Sequence, residues 1–173
     1  MSNEQTGKPG GERRYQRARC DFPAEFSWGT ITNSARVLII SLGGAFLETE
    51  VFVPAGEEME VSLSFDSESA PIVCRAAVVW VADPGVKVKG PKPRPGFAVE
   101  FMKIFPEHRA LIDEYVRKQN RIFRAIHHEL DKAKPDKALI KELFARVCPQ
   151  DSTHLNHIKK VCKEEMKFFR LRP

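Results

Sequence analysis

The chain has 173 residues, 42% of them hydrophobic and 29% charged, which suits one globular domain with or without a helical appendage. No apolar run approaches the length of a membrane span, and the N-terminal stretch MSNEQTGKPGGE lacks the apolar core of a signal peptide. The net charge of +5 is uneven, because residues 1–102 carry 11 Lys and Arg against 13 Asp and Glu, whereas residues 103–173 carry 17 against 10. We expect a cytoplasmic protein of bacterial type that does not associate with membranes, and whose basic C-terminal part is an ordinary solvated surface.

Two segments precede the first predicted strand. Residues 1–11 are polar and rich in Gly and Pro, and they are predicted to form a disordered tail. A guanidinium group is planar, permanently charged and carries five donors, so it can fork onto a phosphate or onto the O6 and N7 acceptors of guanine. The segment 12–19 is therefore either a ligand-binding element at the mouth of a barrel or a disordered basic arm. It contains Arg13, Arg14, Arg17 and Arg19.

Alternating apolar and polar residues predict a series of strands after the arginines. Residues 21–28, 59–65 and 97–101 place apolar side chains at every second position, which is typical of antiparallel strands with one face on a core. Residues 36–40 and 72–81 are richer in apolar side chains and are predicted to be buried on both sides. Turns containing Gly, Pro and Ser separate the segments. About six short strands without intervening helices predict a small barrel or sandwich.

Helical spacing of apolar residues replaces the strand pattern after Phe105. Three amphipathic segments follow, separated by prolines. Asp136 is predicted to cap the second helix, and Asp151 or Ser152 the third. Residues 106–173 are therefore predicted to form a helical extension of about three helices.

The stretch VLIISLGGAFLET, residues 37–49, is a second candidate for a binding feature. Ser41 supplies a short hydroxyl group. Gly43 and Gly44 permit a positive φ and a close approach of a ligand or of another backbone. The same glycines are equally compatible with a tight turn between strands that needs them for its geometry alone.

Together and in this order, these features resemble the PilZ domain, the bacterial receptor module for cyclic di-GMP. The RxxxR motif of that family is matched by RRYQR at residues 13–17, and its [DN]xSxxG motif is matched in part by IISLGG at residues 39–44. The stretches GGAFLETEVFVPAGEEMEVSLSF, AAVVWV and GFAVEFMKI follow in the order and spacing of the second half of such a domain. The resemblance implies a mainly β fold, a six-stranded antiparallel split barrel over residues 12–105, with the helical extension 106–173 behind it.

The resemblance also implies a function. Proteins of this family are sensors that catalyse no reaction, and no metal or cofactor is expected beside the ligand, cyclic di-GMP. By this resemblance Arg13 and Arg17 lie in a flexible segment before the first strand and hold the phosphates and the Hoogsteen edges of the guanines. Ser41 hydrogen-bonds to the ligand, and Gly44 leaves room for a purine against the backbone. The implied ligand-binding residues are Arg13, Arg14, Arg17, Ser41, Gly43 and Gly44, with Arg19 as a further auxiliary cation.

Ile39 departs from the family pattern, because it occupies the position of the motif's Asp or Asn. That residue is expected to accept hydrogen bonds from a guanine, and isoleucine cannot accept any. The loss weakens binding by about 1–3 kcal/mol. Two hypotheses follow: a receptor of reduced affinity, or a degenerate adaptor that keeps the fold and acts by protein–protein interaction. Retention of the arginines, Ser41 and Gly44 favours the receptor.

The helical extension is the predicted route to a protein partner of unknown identity, or to a second copy of the chain, because small apolar stripes are hard to bury alone. Nucleic-acid binding by its basic helices is a third hypothesis. We place it below the other two, since no helix-turn-helix signature supports it.

The cysteines and histidines do not predict a metal centre. No CxxC pair occurs, so the cysteines are predicted to be reduced and mostly buried. The pattern C-x5-H-x2-H-x4-C in the last helical segment matches no known zinc module. The residues concerned are Cys20, Cys74, Cys148, Cys162, His154 and His157.

Overall fold

The computed structural model describes residues 15–65, 69–82 and 94–169. The predicted tail 1–11 and the predicted ligand residues Arg13 and Arg14 lie outside these ranges. None of the helices in the described ranges is long and apolar enough to cross a membrane.

Six antiparallel strands close into a barrel, which confirms the predicted fold. In the barrel their order is β1-β2-β3-β6-β5-β4, and the pairing of β4 with β1 closes the sheet. β-Branched and aromatic residues within the strands fit a pleated surface. The strands are β1 (Arg17–Trp28), β2 (Ile31–Ser41), β3 (Gly44–Glu48), β4 (Glu58–Leu63), β5 (Ile72–Ala82) and β6 (Gly96–Lys103).

The alternating residues predicted for β1 and β6 form the inner face of the barrel. Phe22, Ala24 and Phe26 are buried on β1, and Phe97 and Val99 are buried on β6. The rings of Phe26 and Phe97 meet edge to face across the interior, with centroids 5.2 Å apart. Such contacts stabilise the core beyond the burial of apolar area alone.

The prediction of burial on both sides is wrong for β5. Val73, Val79 and Trp80 are 39%, 54% and 53% exposed. The helices pack against β1 and β2 instead, so the outer face of β5 stays open. An irregularity in the pairing between Val78 and Trp80 turns both Val79 and Trp80 outward. On β2, Ile39 is half-buried.

Three helices follow the barrel, as predicted: α1 (Pro106–Leu130), α2 (Lys137–Val147) and α3 (Leu155–Phe169). Asp136 caps α2, since its Oδ1 accepts hydrogen bonds from Ala138 N and Leu139 N at 2.9 and 3.1 Å.

The prediction that Asp151 or Ser152 caps α3 is wrong. That helix begins later, at Leu155, and Ser152 Oγ accepts a hydrogen bond from His154 N in the preceding turn. Asp151 faces two arginines of the barrel instead.

Helix α1 joins two separate apolar cores. Ile112 and Val116, in its first half, belong to the barrel core. Phe123 and Ile126, in its second half, pack with α2 and α3 in a second core. We call the second half of α1 together with α2 and α3 the helical unit. The first half of α1 therefore packs on the barrel and contributes to the barrel core.

Candidate functional site

A cavity of about 670 Å³ opens on the outer face of β2, β3, β5 and β6, and we call it the sheet-face cavity. Its volume lies in the range of small-molecule sites. Four of the predicted ligand residues line it, namely Arg17, Ser41, Gly43 and Gly44. The structure therefore brings together every predicted ligand residue that it describes.

Strand register explains why these residues meet. Arg17 lies opposite Ser41, Ser41 opposite Gly44, and Gly44 opposite Glu100. Residues that are directly opposite point to the same face of a sheet, so the set forms one row across β1, β2, β3 and β6. A second row, two residues along each strand, contains Arg19, Ile39, Phe46, Ala98 and Trp80.

Arg17 is the first residue of β1 and not part of a flexible segment, which corrects the expectation from the family resemblance. Its side chain is exposed at the edge of the sheet-face cavity. Pairing with Ser41 fixes the backbone of Arg17, so only the side chain has to move for its guanidinium to reach a ligand.

The hydroxyl group of Ser41 already serves the turn between β2 and β3. It donates to Gly44 O at 3.3 Å and accepts from Gly43 N at 3.2 Å. A hydroxyl oxygen has two acceptor positions, so one remains for a further donor. A ligand that used Ser41 as a donor would have to displace the long contact to Gly44.

The two glycines have different surroundings, because backbone closes on Gly44 whereas a side chain covers Gly43. Neither Gly43 nor Gly44 has a positive φ, so the turn does not use that freedom of glycine. A β-carbon on Gly44 would lie 2.0 Å from the carbonyl oxygen of Val99, so glycine here permits close pairing of β3 with β6. The close strand pairing therefore requires glycine at position 44, in addition to its predicted role of leaving room for a purine.

Tyr15 is a cavity residue that the sequence analysis missed. A β-carbon on Gly43 would lie 2.8 Å from Cδ2 of the Tyr15 ring, so the ring covers that glycine. Arg109 of α1 donates from Nη2 to the Tyr15 hydroxyl at 2.9 Å. The position of Tyr15 inside the RxxxR segment was the signal that could have drawn attention to it.

An aromatic pair was also missed. The rings of Phe46 and Trp80 lie 6.1 Å apart between centroids, tilted by 42°, on either side of Ala98. Both line the sheet-face cavity. Trp80 belongs to the segment 72–81 that was predicted to be buried, although half of its side chain is exposed. Aromatic faces of this kind bind nucleobases by stacking.

Arg19 points away from the sheet-face cavity, so the structure does not support its role as an auxiliary cation. Its Nε donates to Glu165 Oε1 of α3 at 3.0 Å, and its Nη1 lies 3.7 Å from Asp151 Oδ2. Burial acts to lower the pKa of Arg19, but the hydrogen bond and charge of Glu165 outweigh it and the pKa is raised. Burial raises the pKa of Glu165, which Arg19 offsets in part.

A second cavity, of about 370 Å³, lies between the barrel and the helical unit. Arg19 and Asp151 line it, and so does Arg94, which bridges Glu48 and Asp151 at 3.3 and 3.2 Å. Ile39 and Phe46 line both cavities. These two side chains therefore separate the sheet-face cavity from the contact between barrel and helices.

Within residues 15–65, 69–82 and 94–169, no three His, Cys, Asp or Glu side chains are grouped so that they could hold a metal ion. His157 Nε2 lies 3.7 Å from Asp151 Oδ2 and belongs to the polar contacts of the second cavity.

Comparison with known proteins finds a matching family and solved structures with a similar fold. The family profile of the PilZ domain matches residues 12–118. A structure described as the PilZ domain with c-di-GMP of YcgR from Escherichia coli is similar, at 16% identity and a TM-score of 0.53 over 69% of this chain and 99% of the other. No curated protein matches the chain in sequence.

Two longer proteins share the fold. The Bacillus subtilis inhibitor of motility, MotI/DgrA, matches at 16% identity and a TM-score of 0.52, over 69% of this chain and 56% of the other. YcgR from Escherichia coli in complex with c-di-GMP matches at 15% identity and 0.51, over 68% and 50%. The chain thus spans about half the length of these two proteins.

Proposed function

The chain belongs to the PilZ domain family, and from this premise we propose that it is a receptor for cyclic di-GMP that catalyses no reaction. The observation that carries the proposal is the pairing of Arg17 with Ser41 at the edge of a cavity walled by Trp80. The structure of the similar YcgR domain is described as containing c-di-GMP.

The chemistry of the sheet-face cavity suits such a ligand. Cyclic di-GMP carries two phosphate charges and two purines rich in acceptors. The Arg17 guanidinium can bind a phosphate, or O6 and N7 of a guanine, through two parallel hydrogen bonds. Phe46 and Trp80 offer apolar faces for a purine, and Trp80 is exposed enough to be reached.

The surroundings of Arg17 supply a route from ligand to helices. Tyr15 and Arg19 flank Arg17 at two residues on either side. Tyr15 contacts Arg109 of α1, and Arg19 contacts Glu165 of α3. A ligand that repositions Arg17 therefore acts on a segment tied to the helices on both sides. The helical unit would then present the signal to a protein partner or to a second copy of the chain.

Isothermal titration calorimetry with cyclic di-GMP tests the receptor. We expect micromolar or tighter binding by the unmodified chain. Arg17→Ala should weaken it roughly 10- to 100-fold, because a charge-assisted hydrogen bond is lost. Arg75→Ala is the matched control, since Arg75 is an exposed barrel arginine paired with Glu58 outside the cavity. Arg13→Ala tests the first arginine of the motif. Absence of heat with folded protein rejects the receptor.

Amide hydrogen exchange tests the relay. Ligand should change protection in α3 around Glu165 and in the first turns of α1 around Arg109, in addition to β1. If ligand changes amide protection only in β1 and β2 and leaves the helices unaffected, ligand binding does not alter the helices and the relay is contradicted.

The alternative function is a PilZ-like adaptor that binds no nucleotide. Ile39 favours it, because its side chain forms part of the cavity wall and offers no acceptor. The engagement of the Ser41 hydroxyl within its own turn favours it as well. Calorimetry decides between the two, since the adaptor gives no heat with cyclic di-GMP while retaining the cooperative unfolding of an intact fold.

A further inference from the structure

The outward row across the sheet ends in a carboxylate. Glu100 of β6 lies opposite Gly44, lines the sheet-face cavity and is exposed. It makes no hydrogen bond or ion pair with the other residues that the structure describes. Gly44 has no side chain, so nothing on β3 in this row separates Glu100 from Ser41. A carboxylate therefore faces the same space as the Arg17 guanidinium, from the opposite side.

The spacing of this row fits the width of a purine with its hydrogen bonds. Arg17 and Glu100 lie three strands apart, which corresponds to about 14 Å between their backbones. Both residues line the sheet-face cavity, with Gly44 in the row between them. The neighbouring row contributes Phe46 and Trp80 beside the same space. A base there has a cation at one edge, a carboxylate at the other and aromatic rings alongside.

We propose that Glu100 accepts hydrogen bonds from the N1–H and N2–H₂ donors of one guanine, and so supplies the acceptor that Ile39 lacks. This inference rests on the proposed binding of cyclic di-GMP. An ionised carboxylate is an acceptor only, and its two oxygens match two adjacent N–H donors. Guanine presents such a pair at its Watson–Crick edge, whereas adenine presents an acceptor at N1. Glu100 therefore selects guanine over adenine.

Repulsion between the Glu100 carboxylate and the phosphates of the ligand makes the proposed role of Glu100 testable. A carboxylate beside a dianionic ligand repels its phosphates, and only hydrogen bonds from donors of the base offset that repulsion. Removal of Glu100 should thus improve binding if it is a bystander, and impair binding if it reads the guanine. The sign of the effect separates the two cases.

The test compares calorimetric affinities for cyclic di-GMP and cyclic di-AMP in four proteins: the unmodified chain, Glu100→Ala, Glu25→Ala and Arg17→Ala. Glu25 is the matched control, an exposed glutamate on β1 outside the sheet-face cavity. We expect Glu100→Ala to weaken cyclic di-GMP binding roughly 10- to 100-fold and to leave cyclic di-AMP unchanged or tighter, so that the preference collapses. Glu25→Ala should retain both affinity and preference.

The outcomes distinguish this inference from the proposed function. If Arg17→Ala loses cyclic di-GMP and Glu100→Ala binds it as well as or better than the unmodified chain, Glu100 is not the guanine reader and the receptor stands. If the unmodified chain binds no cyclic di-GMP, both proposals are overturned.

Discussion

Arg19 of β1 and Glu165 of α3 form a partly buried ion pair between residues 146 apart in sequence, with Nε 3.0 Å from Oε1. This contact attaches the last described helix to the strand that begins with Arg17. Asp151 adds a second, longer contact to the same guanidinium at 3.7 Å. The helical unit is therefore attached to β1 by an ion pair two residues from Arg17, in addition to the packing of α1 on the barrel.

Removal of the Glu165 carboxylate should destabilise the fold, because it leaves the Arg19 charge at a partly buried site with the longer contact to Asp151. We expect Glu165→Ala to lower the free energy of unfolding by about 1–3 kcal/mol in chemical denaturation. Glu142→Ala is the control, since Glu142 forms an exposed pair with Arg146 one turn away on α2. Such a pair contributes under about 0.5 kcal/mol. Equal losses in both variants would contradict a special role for the Arg19–Glu165 contact.

The free energy of unfolding should depend on pH through the ionisation of Glu165. Burial raises the pKa of Glu165 above its ordinary value despite the offset by Arg19. A raised folded-state pKa contributes stability that is present below the unfolded pKa and lost as pH rises through the folded pKa. We therefore expect the unmodified chain to lose stability relative to Glu165→Gln as pH rises from about 4 through the raised pKa of Glu165. A constant difference in free energy of unfolding across this range would contradict the raised pKa.

Restoring the motif acceptor should tighten ligand binding. Ile39→Asp should lower the dissociation constant for cyclic di-GMP roughly 10- to 100-fold, because it adds to the cavity wall an acceptor for guanine donors that Glu100 leaves unengaged. A carboxylate at this position also lies opposite Arg19, so Ile39→Asn is needed to separate the acceptor from the charge. Ile39→Val, which changes shape little and adds no acceptor, should bind as the unmodified chain does. Equal affinity in all four proteins would show that position 39 does not contact the ligand.

The four cysteines should resist thiol reagents in the folded protein. All are free and buried, as predicted from the sequence. Burial raises the pKa of Cys74 to about 11 and of Cys148 and Cys162 to about 12, and it raises that of Cys20 well above the ordinary range. At pH 8 the thiolate fraction is therefore very small. Labelling with a chromogenic disulfide should be slow until denaturant exposes all four, and rapid labelling of any one in native buffer would contradict its burial.

The sequence predicted the barrel because strand alternation is a local property. Phe22, Ala24 and Phe26 alternate with polar residues, and a period of two permits only one buried face. It failed for β5, where Val79 and Trp80 are apolar but line an open cavity. Apolar character alone does not distinguish a side chain that faces a core from one that faces a ligand site.

The positions of Arg17, Ser41 and the two glycines in one site could be predicted from the sequence, since short motifs of fixed spacing carried them. Only the tertiary structure showed what else shares that site. Glu100 joins the row because β3 pairs with β6 in one particular register, and Tyr15 is held by Arg109, which is 94 residues away. Arg19 lies two residues from Arg17 in the same arginine cluster. It pairs with Glu165 because the helices fold onto β1. Contacts between distant residues depend on strand register and helix packing, and neither is encoded in any local stretch of the chain.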